Sequence, residues 1–137
     1  MEKISMFYNM AVIALGAISS YLFGTSSLLF KTLVLFVVLD YLTGMASSAY
    51  EGKLNSKIGF KGILKKVMIF AIVAIAHSLD QLTGGNIIKT ATIFFYLSNE
   101  LLSMIENAGR LNVPIPPFIK NAVSLLRQKS GNQNKDD

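Results

Sequence analysis

Asp40 and Glu100 most need a chemical explanation in this 137-residue chain, because each stands inside a long apolar run. A charged side chain at the centre of a bilayer costs roughly 2.5–3.5 kcal/mol on insertion scales, so it marks function or a buried partner. Each acid belongs to a polar stripe. From Asp40, the residues Thr43, Gly44 and Ser47 recur at helical spacing on one face. Thr92, Tyr96, Asn99, Ser103 and Glu106 form a second stripe, with Glu100 beside it. Two acids could serve an intramembrane hydrolase, but that chemistry needs a positioned substrate, water and a signature around the acids. None is present, nor is a phosphate-cradling glycine loop or a nucleophile with its base. There is no cysteine, and His77 with Asp80 one turn away falls short of a metal site. No enzyme, metal or cofactor is therefore expected. The stripes Asp40/Thr43/Gly44/Ser47 and Tyr96/Asn99/Glu100/Ser103 read either as helix-packing surfaces or as surfaces that line water once subunits assemble.

The elements that must position them are helices, and the fold class expected is an all-α membrane protein. The chain is 52% hydrophobic and 15% charged, with the charge concentrated between long apolar stretches. About 20 helical residues cross a ~30 Å hydrocarbon core. Four stretches qualify: about 4–23, 28–50, 62–82 and 87–105. In a three-span variant the first lies at the interface or is removed, and a cleaved signal peptide is its competing reading. Together they make a transmembrane domain over 1–109. Residues 110–137 follow as a cytoplasmic linker, an amphipathic basic helix on the inner leaflet and a disordered tail over 130–137. Small-residue faces at Gly16/Ser20/Gly24 and Ala71/Ala74/Ser78 suit close helix packing. Asn55 and Ser56 supply a turn and a helix cap, with Gly52 and Gly59 as breakers. Asp80 and Lys89, facing each other across the Gly84-Gly85 turn, form an ion pair at the outer interface.

The lysines decide orientation. Lys53, Lys57, Lys61, Lys65 and Lys66 crowd between the second and third spans, and lysine-rich short loops stay cytoplasmic. Both termini are then cytoplasmic, and of the 13 lysines and arginines only Lys31 and Lys89 fall outside. The five loop lysines read as topology and lipid anchors. A net charge of +5 placed this way suits anionic lipid and forms no aromatic-interleaved patch for nucleic acid.

The order Asp40-x-x-Thr43-Gly44, Ala49, Leu54-x-Ser56, Gly59-x-x-Gly62, Lys65-Lys66 and then Asp80 resembles the phage lysis and toxin-secretion holin family. The likeness covers residues 28–82 well, is weaker over the last span and is generic elsewhere. It implies a small non-enzymatic protein of the bacterial cytoplasmic membrane. Such a protein homo-oligomerises in the bilayer at a set time and opens a large lesion for an endolysin or a toxin. Met6, close behind Met1, fits the two-start arrangement of some holin genes. Two other classes stay open: a small ion channel or transporter using Asp40 and Glu100, and a membrane scaffold that recruits a partner through its basic loop and tail.

Overall fold

The computed structural model describes residues 1–25 and 27–131. Among them the chain forms five helices: α1 (Glu2–Phe23), α2 (Leu28–Tyr50), α3 (Ser56–Thr83), α4 (Ile87–Arg110) and α5 (Pro117–Lys129). The expected 130–137 tail lies outside the described residues beyond Gly131.

α2, α3 and α4 form the core. Leu33 and Val37 of α2, Ile69 and Val73 of α3, and Ile93 and Leu97 of α4 are buried together. Their spacing of about one turn along each helix gives each a single inward stripe. Many other apolar residues on these helices point outward, including Leu35, Val38, Leu42, Ile63, Val67 and Ile75. That surplus is what a bilayer can solvate. By length and composition, α1 and α2 are long and apolar enough to cross a membrane. α3 and α4 were expected to cross as well. In α3 the lysines dilute the apolar run at one end, with His77 and Asp80 at the other, and in α4 the polar stripe does the same.

The caps explain the boundaries. Asn55 accepts the Ile58 N–H at 2.9 Å and starts α3 earlier than the span expected at 62, shortening the loop to 51–55. Gly59, expected to break a helix, lies inside α3 and is buried. It is there for close approach: a Cβ would come within 3.2 Å of Met45 Cε, and one at Gly62 within 3.3 Å of the Tyr41 ring. The Gly59-x-x-Gly62 spacing thus lets α3 cross α2 over Tyr41, whose hydroxyl lies 3.4 Å from the Gly59 carbonyl.

α1 is attached at one end only. None of its residues is buried, and its main helix neighbour is α3. Phe23 packs on Phe30 and Phe70, Lys89 Nζ donates to the Phe23 carbonyl, and Gly24 turns the chain at φ 74° against His77. The expected small-residue seam is therefore confined to its last turn, because Gly16 has nothing within 4 Å of where its Cβ would be. On α3 the buried face is Ile69/Val73/Ala76/Asp80, while Ala71 and Ser78 are exposed and Ala74 is half-buried. The tight apolar stripe, not the small residues, carries the packing within one chain.

α5 departs furthest from expectation. Asn112 takes the left-handed conformation (φ 58°), and the Val113 N–H reaches back to the Ala108 carbonyl at 2.9 Å. This is a Schellman-type stop for α4. Val113 to Pro116 then reverse the chain, and Pro117 opens α5, where a missing N–H is tolerated. The helix runs back along α4 rather than lying apart as a surface helix. Val123 is buried, Leu126 packs on the core cluster, and Ser130 borders a small cavity with Ala91 and Thr92 near the start of α4. The cause is its Ile119/Ala122/Val123/Leu126 stripe, which a 13-residue helix must bury to persist.

Asp80 does not pair with the Lys89 ammonium. Its carboxylate accepts the Ile88 and Lys89 backbone N–H groups at 3.0 and 2.8 Å, capping α4 from the end of α3. Asn86, at the cap position itself, makes no side-chain bond. Asp80→Ala is expected to destabilise the bundle by about 1–2 kcal/mol, with Asp80→Asn retaining part of that, in denaturant unfolding followed by circular dichroism in detergent.

Candidate functional site: a polar network shared by three helices

The two stripes meet. α2 and α4 pack more closely than any other pair, which sets Asp40, Thr43, Gly44 and Ser47 against Glu100, Ser103 and Asn107. α3 brings the third side, and with it Lys66. The Lys66 ammonium bridges Asp40 Oδ2 and Glu100 Oε2. It was expected to anchor the chain at the lipid surface. It turns inward instead, with a side chain only 18% exposed, because two carboxylates offer what headgroups would otherwise supply. Lys53, Lys57, Lys61 and Lys65 remain exposed.

Around this bridge every polar group is satisfied. Asn107 Nδ2 donates to Asp40 Oδ1 and to Thr43 Oγ1, each at 3.0 Å, and lies 3.3 Å from the Asp40 carbonyl. Ser47 Oγ sits 2.8 Å from the Thr43 carbonyl and 3.0 Å from that of Asn107. Gly44 faces the Asn107 amide, and a Cβ there would be in ordinary contact with Nδ2 at 3.5 Å. Among the described residues no buried side-chain nitrogen or oxygen lacks a partner. Buried polar groups are costly only when unpaired, so the network holds three helices in one register without requiring water.

Asn107 is the residue that sequence reasoning missed. The fourth span was expected to end near 105, whereas α4 runs to Arg110. Its place one turn beyond Ser103 and two beyond Glu100 was a legible signal, since the stripe simply continues. Glu106, counted in that stripe, is exposed.

A cleft of about 590 Å³ opens beside the network. Asp40, Gly44, Tyr96, Asn99, Glu100 and Ser103 all border it, so the structure gathers most of the sequence-derived stripe residues around one space. At its mouth Arg110 grips Glu51 through two parallel bonds of 2.8 and 3.1 Å and reaches Ser48 at 3.3 Å. Bidentate pairing of this kind fixes geometry as well as charge. The Arg110 hydrogen bonds hold the Glu51 carboxyl below its ordinary value of 4.5, and Glu51 in turn raises Arg110. Five further candidates lie at the other end, where Ser20, Gly24, Ser78, Asp80 and Lys89 border a separate cavity of about 850 Å³.

The arrangement can cross-link helices and present carboxylates and amides to a cleft. Among the described residues of this site no nucleophile stands beside a base. Fold and site thus define a class: a small all-helical protein, with two helices long and apolar enough to cross a membrane, in which charged residues of three helices neutralise one another internally. Within that class the chain belongs to the bacteriophage holin family, which matches residues 17–128. It is 44% identical over 128 residues to a protein of Listeria innocua (93% of this chain, 91% of that one). Against a Listeria monocytogenes protein it is 48% identical over 121 residues (88% and 86%). A Bacillus phage phi105 protein named "Probable holin" is 30% identical over 119 residues (86% and 87%). No solved structure matches.

Lys66→Met should destabilise the bundle by about 3–5 kcal/mol, because it strands two buried carboxylates. The triple variant Asp40→Asn/Lys66→Met/Glu100→Gln should recover most of that loss in the same detergent unfolding measurement. A second outcome concerns the mouth. Glu51 has a lowered folded value, so its contribution is present above 4.5 and is lost as pH falls through the folded value. The melting temperature of wild type should therefore drop below about pH 4.5 by more than that of Glu51→Gln.

Proposed function

We propose that this protein is a holin in the mechanistic sense. It accumulates in the bacterial cytoplasmic membrane, oligomerises, and opens a lesion through which a cell-wall-degrading endolysin, or a toxin, passes. It does this without catalysis. The observation that carries the reading is the closed network Asp40–Lys66–Glu100–Asn107, built on helices whose outer surfaces are apolar. Family membership gives the biological setting.

The physical route follows from satisfaction. Hydrocarbon cannot serve polar groups, so the stripes can be stored in a membrane only while they serve one another. The single chain meets that requirement, and it can reside in the bilayer without lysis. In an assembly the same residues can exchange partners for water. Asp40, Thr43, Gly44, Ser47, Tyr96, Asn99, Glu100 and Ser103 would then border an aqueous space. The Ala71/Ala74/Ser78 face of α3 and the free length of α1 carrying Gly16 and Ser20 are available for copy-to-copy packing. In this arrangement α1 to α4 cross the membrane. The 51–55 loop, the N-terminus and the start of α5 lie in the cytoplasm, held there by Lys53, Lys57, Lys61 and Lys65.

Co-expression in a bacterium with a cytoplasmic muralytic enzyme tests this. Abrupt loss of culture turbidity should require both proteins, with the enzyme retained when this chain is absent. Asp40→Leu and Thr43→Leu should delay or abolish lysis while the protein still reaches the membrane. Growth without enzyme release would sink the reading, and ion-selective currents without protein passage would favour a small channel instead.

A further inference from the structure

α5 is basic and hydrophilic on its outward side, yet it lies along a helix expected to be surrounded by lipid. Leu126 packs on the cluster containing Ile93 and Leu97. Leu97 is 13 residues before Arg110 on α4, which at 1.5 Å per residue is roughly 20 Å from the end where the chain turns. Arg127 therefore sits deep within a hydrocarbon thickness of ~30 Å, measured from that end. Lys120, Asn121, Ser124, Arg127, Gln128 and Lys129 are all exposed.

Lipid against that face would have to solvate two lysines and an arginine, each at the cost of a charge in hydrocarbon. α1, α2 and α3 turn the opposite character outward, with Phe7, Ile13, Val38, Leu42, Val67 and Ile75 exposed. The bundle is thus amphipathic across its width, with an apolar flank at α1 to α3 and a basic flank at α5, interrupted by Phe118 and Leu125. α4 lies between them with the strongest polar-to-apolar asymmetry of the four long helices.

We propose that α5 stays on α4 inside the membrane and presents its basic face to water, so that the α4–α5 hairpin forms a cationic wall of the lesion. This rests on the lesion reading and says which flank of the protein faces the lumen. The alternative is that α5 leaves α4 and lies flat on the membrane surface.

The chain has no cysteine, so introduced thiols report cleanly. The full chain would be reconstituted into phosphatidylethanolamine and phosphatidylglycerol vesicles holding a trapped fluorescent protein. Thr92→Cys with Ser130→Cys, residues that border one cavity, should cross-link within a chain under a short bifunctional thiol reagent. Phe95→Cys with Ser130→Cys is the second pair, for the case in which the first perturbs packing. With α5 locked in this way, Ser124→Cys should react with a charged, impermeant maleimide at least tenfold faster than Val12→Cys on α1. Release of the trapped protein should be unchanged within twofold by the lock. If neither pair cross-links in vesicles, or if locked Ser124→Cys reacts as slowly as Val12→Cys, the proposal is overturned. A release that the lock abolishes and uncross-linked protein retains overturns it too. Fast labelling with no release from any variant, wild type included, supports the placement of α5 and instead overturns the lesion reading.

Discussion

One ammonium serving two carboxylates is the interaction on which the rest of this bundle depends. Lys66 comes from α3, Asp40 from α2 and Glu100 from α4, so a single side chain specifies how three helices face one another. An apolar stripe alone would allow the helices to rotate or slide, since lipid tails solvate leucine as well as protein does. A charge that finds its partners at one register removes that freedom. Asn107 and Ser47 extend the same logic toward the Arg110 end, and Asp80 does so at the opposite end by capping α4. Polar contacts fix the geometry, and the buried cluster from Leu33 to Leu97 fills the space between them.

The two peripheral helices are held unequally. α1 touches the bundle through its last turn, whereas α5 packs along α4 more extensively than α3 does. Each is hinged at a residue with positive φ, Gly24 for α1 and Asn112 for α5. A central trio locked by charge, with α5 packed along α4 and only α1 loosely attached, divides the labour between a fixed core and one element able to change neighbours.

Much of this was legible in the sequence, and the failures share one physical origin. Helix positions followed from apolar runs, and the two polar stripes from spacing; the α2 boundaries at 28 and 50 match the observed ones. The Asn55 cap was also readable. What could not be read is direction in three dimensions. Lys66 sits in a lysine cluster and has the same local sequence character as Lys65, yet only Lys66 points at the acids. Asp80 and Lys89 were rightly placed as neighbours, but the bond runs through the Lys89 main chain. Gly59 looks like a breaker until Tyr41 and Met45 are seen against it. The return of α5 depends on the left-handed Asn112 and on a groove that exists only once α4 is packed.

The sharing of Lys66 also bears on how the chain is made. Asp40 is synthesised 26 residues before the lysine that neutralises it, and Glu100 follows 34 residues later. At about 5–20 residues per second, the acid of α2 waits a second or more for its partner. During that interval the Asp40 carboxylate has no ammonium from α3 to neutralise it. The order of charges along the sequence thus makes the α2–α3 hairpin the first pair to be neutralised, with α4 joining a pair that already carries a spare valence for its glutamate.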